Sequence, residues 1–299
     1  MMLRFSVLAS GSAGNAALLQ AGEFGLLIDA GLGPRQIAAR LASIGSTWES
    51  VHLVLLTHTH GDHWRERTLA HMARRQIPLC CHPRHADTLA TVSDAFLKLQ
   101  KAGLIRTFER DAEVRLHHSL QCKPVEVSHD STPTFAFRFW GPEDLFGETW
   151  SLGFLSDLGC WSPALVDAFR NVGILALEFN HDEAMERQSL RSAELIERVL
   201  GDFGHLSNDQ AAAFLSSLLR TSTPGILQHL VQLHLSRDCN KPALALRAAA
   251  RVCAELAAAP KIHTASQDVA SPILTLEPLS ASRINEVPQL VPAIEWSVG

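Results

Sequence analysis

The sequence has no apolar run approaching the ~18–20 residues that a membrane-crossing helix needs, which excludes such a span. It has no Cys-x-x-Cys pair. The six cysteines (Cys80, Cys81, Cys122, Cys160, Cys239, Cys253) are scattered, which excludes a disulfide scaffold and predicts free thiols in a reducing compartment. It has no excess of positive charge. With 26 basic against 31 acidic residues the net charge is −5, so any contact with nucleic acid must be local. Charged residues reach only 19% against 46% hydrophobic, which excludes wholesale disorder and fits a chain of 299 residues with a large core. No repeat of 20–50 residues and no dividing linker is present. The apolar stretch Phe5–Ala9 is shorter than the ~7–15 residues of a secretory core, so it predicts a first β-strand and a cytoplasmic protein. Tyrosine is absent, yet there are 15 histidines, and histidine is the commonest metal-binding side chain.

The order of elements predicts an α/β fold. Strands are expected at 3–9, 16–20, 25–28 and 51–56, with a helix opened by Pro34 and closed by Gly45. Helices are expected at 65–76 and 84–101 around a strand at 78–81. A strand-rich middle follows, near Ile105 and Val114 and at 121–128, 135–140 and 150–156. The last third alternates again, with helices near 163–169, 190–200, 207–219 and 242–258 and strands at 174–177, 226–234 and 261–264. Helix-bearing halves around a strand-rich middle fit two sheets packed face to face with helices outside, as one domain. Residues 266–299 carry Pro272, Pro278, Pro288 and Pro292 and predict an edge strand followed by an extension, beyond a catalytic domain at 1–265.

His58, His60, Asp62 and His63 fall within six residues, directly after a buried strand. Several imidazoles and a carboxylate at one strand end are costly without a cation, because burial penalises charge and protonated histidines repel. A divalent metal resolves both. His58 and His60 can approach one ion, and Asp62 and His63 point to a second. Such donors suit Zn²⁺, and also Mn²⁺ or Fe. One loop cannot complete two shells, so further ligands are expected at later strand ends. His129, Asp157 and His234 each stand where an apolar strand stops.

With these residues in place, the chain resembles the metallo-β-lactamase-fold superfamily over about residues 3 to 265. The resemblance implies a four-layer αββα sandwich, single domain, with a dinuclear metal site. Its sequence marks correspond to Asp29 in Ile28-Asp29-Ala30-Gly31, to His58-x-His60-x-Asp62-His63, to His129, to Asp157 in Ser156-Asp157-Leu158-Gly159, and to His234. It implies His58, His60 and His129 on one metal and Asp62, His63 and His234 on the other, bridged by Asp157. Asp29 would order the histidine loop from behind. Ser10-Gly11-Ser12-Ala13-Gly14-Asn15, Gly204-His205-Leu206-Ser207-Asn208 and His234-Leu235-Ser236 are similar to the bacterial YycJ/WalJ-type branch, relatives of tRNase Z associated with DNA exonuclease activity. That branch implies His205 as general acid, although Ser207 beside it is also a good helix cap. Asp62 and His205 are thus the candidate catalytic residues. Ser12, Asn15 and His181 are candidate substrate contacts, with a tight turn and an Asp182 helix cap as the plainer explanations.

Four departures bear on the branch, one being Asp238-Cys239 ahead of Asn240-Lys241-Pro242, where the family is more asparagine-rich. Trp64 follows the histidine cluster where a smaller aliphatic residue is usual, which is expected to alter the pocket mouth. The 28 positions from His129 to Asp157 leave no room for the extended arm of many tRNase Z enzymes. The stretch from Asp157 to His205 is too short for a β-CASP cap. These point away from tRNA processing. The resulting expectation is a metal-dependent phosphodiesterase, most specifically a DNA exonuclease, using a hydroxide between two metals about 3.5–4 Å apart. The alternatives are a hydrolase of small acyl substrates (lactone, thioester or β-lactam) and a metal-binding scaffold. Asp157 argues against typical β-lactamases. The pairs Arg65/Arg67 and Arg74/Arg75 read as a solvated helix face.

Overall fold

The computed structural model describes residues 2–131, 133–142, 148–276 and 279–280. The strands are β1 (Leu3–Ala9), β2 (Ala16–Ala21), β3 (Phe24–Ile28), β4 (Leu53–Leu55), β5 (Leu79–Cys81), β6 (Ile105–Thr107), β7 (Val114–His117) and β8 (Leu120–Val127), then β9 (Thr134–Trp140), β10 (Glu148–Thr149), β11 (Ser151–Leu155), β12 (Ile174–Glu178), β13 (His229–Leu233), β14 (Lys261–Thr264), β15 (Leu274–Leu276) and β16 (Leu279–Ser280). The helices are α1 (Pro34–Ser43), α2 (Glu66–Arg75), α3 (Pro83–Val92), α4 (Asp94–Lys101), α5 (Pro163–Ala168), α6 (Glu183–Arg187), α7 (Ala193–Leu200), α8 (Asn208–Thr221) and α9 (Pro242–Glu255).

The apolar runs explain the layering. In β3, Leu26 and Ile28 face one way and Leu27 the other; in β12, Ile174 and Ala176 oppose Leu175 and Leu177. Side chains alternate along a strand, so an uninterrupted apolar run belongs to a sheet covered on both faces. One seven-stranded sheet has the order β15-β1-β2-β3-β4-β5-β6, and a second has β14-β13-β12-β11-β9-β8-β7. Their facing surfaces enclose Phe5, Leu26, Phe135, Phe137, Phe139 and Ile174. Each fully buried phenylalanine there contributes about 1.5–3 kcal/mol relative to exposure. The outer face of the first sheet packs on α1–α4 through Leu27, Ile37, Leu69 and Phe96. That of the second packs on α5, α8 and α9 through Leu175, Phe214 and Ala249. The four-layer αββα sandwich expected from the sequence is therefore the architecture of the chain.

In each half one run of four strands, reaching from the middle of the sheet to one edge, is parallel: β3–β4–β5–β6 in one and β11–β12–β13–β14 in the other. Parallel strands end on one edge, and open α/β sheets carry their sites outside such ends. β15 lies antiparallel to β1 at the sheet edge. Of the edge strand and extension expected over 266–299, residues 277–278 and 281–299 lie outside the described residues.

Two expectations need correction. The helix anticipated over 84–101 is broken at Ser93, whose extended backbone (φ −138°) lets its hydroxyl cap α4 by accepting from the Phe96 N–H. The helix anticipated from Leu190 begins at Ala193 behind a Ser192 cap, and the short helix α6 precedes it. Serine caps override helical spacing because they satisfy orphaned backbone donors. No helix among the described residues is long and apolar enough to cross a membrane.

Candidate metal centre

The site lies where the two halves meet, and each of its groups follows a strand or a turn. Three of its residues sit within two positions of a strand end in the left-handed backbone region: Asp29 (φ 59°), Asp157 (φ 59°) and His234 (φ 54°). Such conformations cost about 1–3 kcal/mol each and persist only where surrounding structure enforces them. Asp29 shows how the first half does so. Its carboxylate accepts from the Thr57 N–H (2.9 Å) and hydroxyl (2.9 Å) and faces His63 Nδ1 at 2.7 Å. This fixes the start of the histidine loop and leaves His63 Nε2 turned inward. Gly31 packs so closely on that loop that an added Cβ would stand 1.7 Å from the Asp62 carbonyl oxygen, so only glycine fits.

His58, His60, Asp62 and His63 come together with His129, Asp157 and His234. The candidate ligand atoms of His58, His60 and His129 lie within 4.8 Å of one another, as do those of Asp62, His63 and His234, and those of His58, His63 and Asp157. His129 Nδ1 donates to the Gly204 carbonyl (3.0 Å), which frees Nε2 toward the cluster. Asp157 presents its two oxygens to both halves: Oδ2 lies 3.3 Å from His63 Nε2 and Oδ1 3.4 Å from His234 Nε2. His58, His63, Asp157 and His234 are buried, whereas His60 and Asp62 keep 38% and 21% side-chain exposure and form the open side.

The electrostatics are those of a dry cluster in need of positive charge. Burial drives the His58 pKa well below its usual value, with the charge of His63 adding to the effect. Burial opposes protonation of His63 and His234 too, but Asp29 and Asp157 hold the first well above its usual value. Asp157, Asp62 and Glu178 hold the second up to about 10. Burial opposes ionisation of Asp157, yet His234 and His63 keep its pKa well below the usual carboxylate range. His58 Nε2 and His234 Nε2 are buried with no hydrogen-bond partner. Buried polar atoms are rarely left so. Inward-facing imidazole nitrogens among carboxylates are the donor set that divalent metals take, so the residues fit the expected ions.

A second buried carboxylate goes beyond what the sequence pointed to. Glu178, the last residue of β12, is fully buried. Its Oε1 lies 2.8 Å from His205 Nδ1 and 3.2 Å from His234 Nδ1, while Oε2 accepts from the N–H groups of Leu158 (3.1 Å) and Leu206 (3.3 Å). Burial raises its pKa, but the charge of His205 and the hydrogen bonds from His205 and His234 prevail and bring it down to about 2. Burial likewise lowers the pKa of His205, and Glu178 reverses this and raises it. The His205 ring stacks on His234 with centroids 5.2 Å apart and retains 16% exposure. Glu178 does carry a sequence signal: it is a polar residue ending an apolar strand, the rule that picks out Asp157 and His234. Asn180, which donates to the His234 carbonyl (2.9 Å), is a further member of the site with no comparable signal.

The three candidate substrate contacts fall in different places. Ser12 is exposed on the loop between β1 and β2. Asn15 is buried, accepts from the Gly11 N–H (2.8 Å), and sets its amide 3.2 Å from Asp62 Oδ2 and 3.0 Å from His63 Nε2, so it braces the loop. His181 is completely buried rather than facing substrate, because the chain turns inward after β12 and pairs with Ser207. Asp182 caps α6 and Ser207 caps α8, as the plainer explanations had it. Trp64, expected at the mouth, is half-buried against the helical layer and donates to the Thr59 carbonyl (2.9 Å).

A model of the beta-lactamase superfamily domain matches residues 25–223. The exodeoxyribonuclease WalJ of Streptococcus pneumoniae is 28% identical over 242 residues, 81% of this chain and 85% of that protein. The exodeoxyribonuclease YycJ of Bacillus anthracis is 28% identical over 260 residues, 85% of this chain and 90% of that protein. Among solved structures, the metallo-beta-lactamase fold protein YhfI from Bacillus subtilis superposes with a TM-score of 0.64 at 14% identity, covering 92% of this chain and 100% of that one.

Proposed function

Because the chain belongs to the beta-lactamase superfamily, we propose that it is a metal-dependent phosphodiesterase that acts on DNA as an exonuclease. The observation that carries this reading is the His205–Glu178 pair, an imidazole held beside the ligand cluster by a buried carboxylate 2.8 Å away. The exodeoxyribonuclease names of the two bacterial relatives support DNA as the substrate.

His58, His60 and His129 would hold one divalent ion and Asp62, His63 and His234 the other, with Asp157 between them; zinc suits these donors best, with manganese or iron as alternatives. When bound, such a pair supplies a water acidified to near neutrality and positive charge facing the phosphate oxygens. The remaining work falls to the chain. Asp29 and Asn15 hold His63 and Asp62 in place, and Asn180 and Glu178 hold His234. Asp62, on the open side, is the second candidate catalytic group. Glu178 binds His205 at Nδ1, which favours the imidazolium and leaves Nε2–H on the far side of the ring. That proton passes to the oxygen leaving phosphorus, as a general acid requires.

The test is one panel on metal-analysed protein: DNA and RNA with and without a 5′-phosphate, a nitrophenyl phosphodiester, a lactone and a cephalosporin. About two ions per chain are expected, with DNA cleavage exceeding lactone or lactam cleavage by orders of magnitude. Efficient lactone turnover without nuclease activity would replace this reading with an acyl hydrolase. Protein that takes up no metal would overturn both.

A further inference from the structure

Outside the metal centre, three arginines converge on one pocket. Arg35, Arg67 and Arg74 line a pocket of about 440 Å³, together with Gly33, Gln36 and Ala70 and with no acidic residue in its wall. On α2, positions 67, 70 and 74 share one helical face, so the two arginines flank a floor kept low by Ala70. Arg35 arrives from the first turn of α1. Arg75, the next residue along, is paired with Glu49 at 2.9 Å, whereas no carboxylate among the described residues pairs with Arg35, Arg67 or Arg74.

Two further features mark the pocket as suited to an anion. The first turn of α1 contains no acidic residue and carries Arg35 instead, a cation at the positive end of the helix, where charge of that sign is unfavourable. An anion between the arginines would relieve this. The pocket is also joined to the metal centre. Thr68 at the start of α2 donates to the Leu32 carbonyl (2.6 Å), which locks α2 to the segment leading into α1. That segment begins at Gly31, packed on Asp62, and the two residues from Gly31 to Gly33 span at most about 7 Å. On a chain of net charge −5, an unpaired cationic pocket on segments that continue directly from the site's loops is a local exception.

We propose that this pocket binds a backbone phosphate of the DNA strand, away from the phosphate being cleaved, and so holds the strand in the site. This rests on the DNA reading above and adds to it the path of the strand. The contact is electrostatic and takes no account of base sequence.

The test compares wild type with the exposed triple variant Arg35→Ala/Arg67→Ala/Arg74→Ala and with each single variant. It uses a long labelled single-stranded oligonucleotide, a dinucleotide and a nitrophenyl phosphodiester. The expected result is a KM for the long strand raised roughly tenfold in the triple variant and a flatter dependence of binding on salt, by about 0.7 in the log–log slope for each phosphate that is no longer neutralised. The kcat/KM on the dinucleotide and the nitrophenyl ester stays unchanged. An unchanged salt slope for the long strand, or equal losses on all three substrates in the singles as well as the triple, would overturn the proposal. Inorganic phosphate at matched ionic strength that inhibits wild type but not the variant on the dinucleotide would assign the pocket to a free anion instead. Wild type that cleaves the nitrophenyl ester but does not bind DNA would refute the exonuclease reading itself, an outcome separate from the variants' behaviour.

Discussion

Each half of the molecule places one buried carboxylate behind its histidines, and the two carboxylates are unlike. Asp29 serves the first half. It accepts from Thr57 and one histidine, and burial prevails, so its pKa is raised. Glu178 serves the second. It has two histidines and two backbone N–H groups, and its pKa falls to about 2. The same device is thus set to different strengths. Asp29 fixes the shape of a loop, where a fixed hydrogen-bond pattern suffices. Glu178 stays ionised and keeps a proton on His205, the proposed general acid.

The largest effect that would break this contrast concerns His205. If the second half supplies the acid, His205→Ala should lower the rate on a dinucleotide by about 10²–10⁴. The loss should be small on a nitrophenyl phosphodiester, whose leaving group departs without a proton, and metal content should not change. Equal losses on both substrates, with stability lower by about 1 kcal/mol, would mark the residue as part of a helix start and nothing more.

Next in size is the pair of carboxylates themselves. Asp29→Asn and Glu178→Gln should each cost about 10–100-fold in metal affinity or activity, the usual worth of a group that orients a ligand. Their signatures should differ. Asp29→Asn should act through metal affinity and be rescued by added metal. Glu178→Gln should keep a deficit at saturating metal and shift the alkaline limb of the kcat profile to lower pH, because the amide no longer stabilises the imidazolium. Indistinguishable profiles would erase the contrast.

An effect on stability alone, with none on the rate, lies at the join between the halves. His85 on α3 donates Nε2–H to the Pro133 carbonyl (2.7 Å), ahead of β9 in the other half. Burial lowers its pKa to about 4 from the usual 6.5. The unfolded chain therefore takes up this proton first. The corresponding stability is fully present above about pH 6.5 and declines as pH falls toward about 4, by roughly 3 kcal/mol. His85→Gln should flatten that stretch of the stability profile in urea titrations while leaving kcat/KM at pH 8 intact. A profile identical to wild type would remove His85 as its source.

The sequence exposes most of this arrangement through one signal, a polar residue where an apolar strand stops. That signal works because a sheet covered on both faces must be apolar until the chain leaves it, so Asp29, His58, Asp157 and His234 stand out. Glu178 obeys the same rule but does not stand out, because it ends a run that continues into Phe179 and looks like the strand itself. His181 misleads for the opposite reason: following a strand does not say whether a side chain turns outward or into the core. The arginine pocket is illegible in the sequence, since Arg35 and Arg67 are neighbours only through the packing of α1 on α2. The break at Ser93 is hidden by helical spacing on both sides of it.

Asp157 stands on the seam, one oxygen toward His63 and the other toward His234. Ions held there would act as rivets. Any breathing motion that parts the two sheets would have to release them first, so resistance to unfolding would rise by about 1.4 kcal/mol for each tenfold increase in free metal above the dissociation constant. Metal supply would then set how long each molecule survives as well as how fast it works, and starvation for the ion would thin the population through proteolysis.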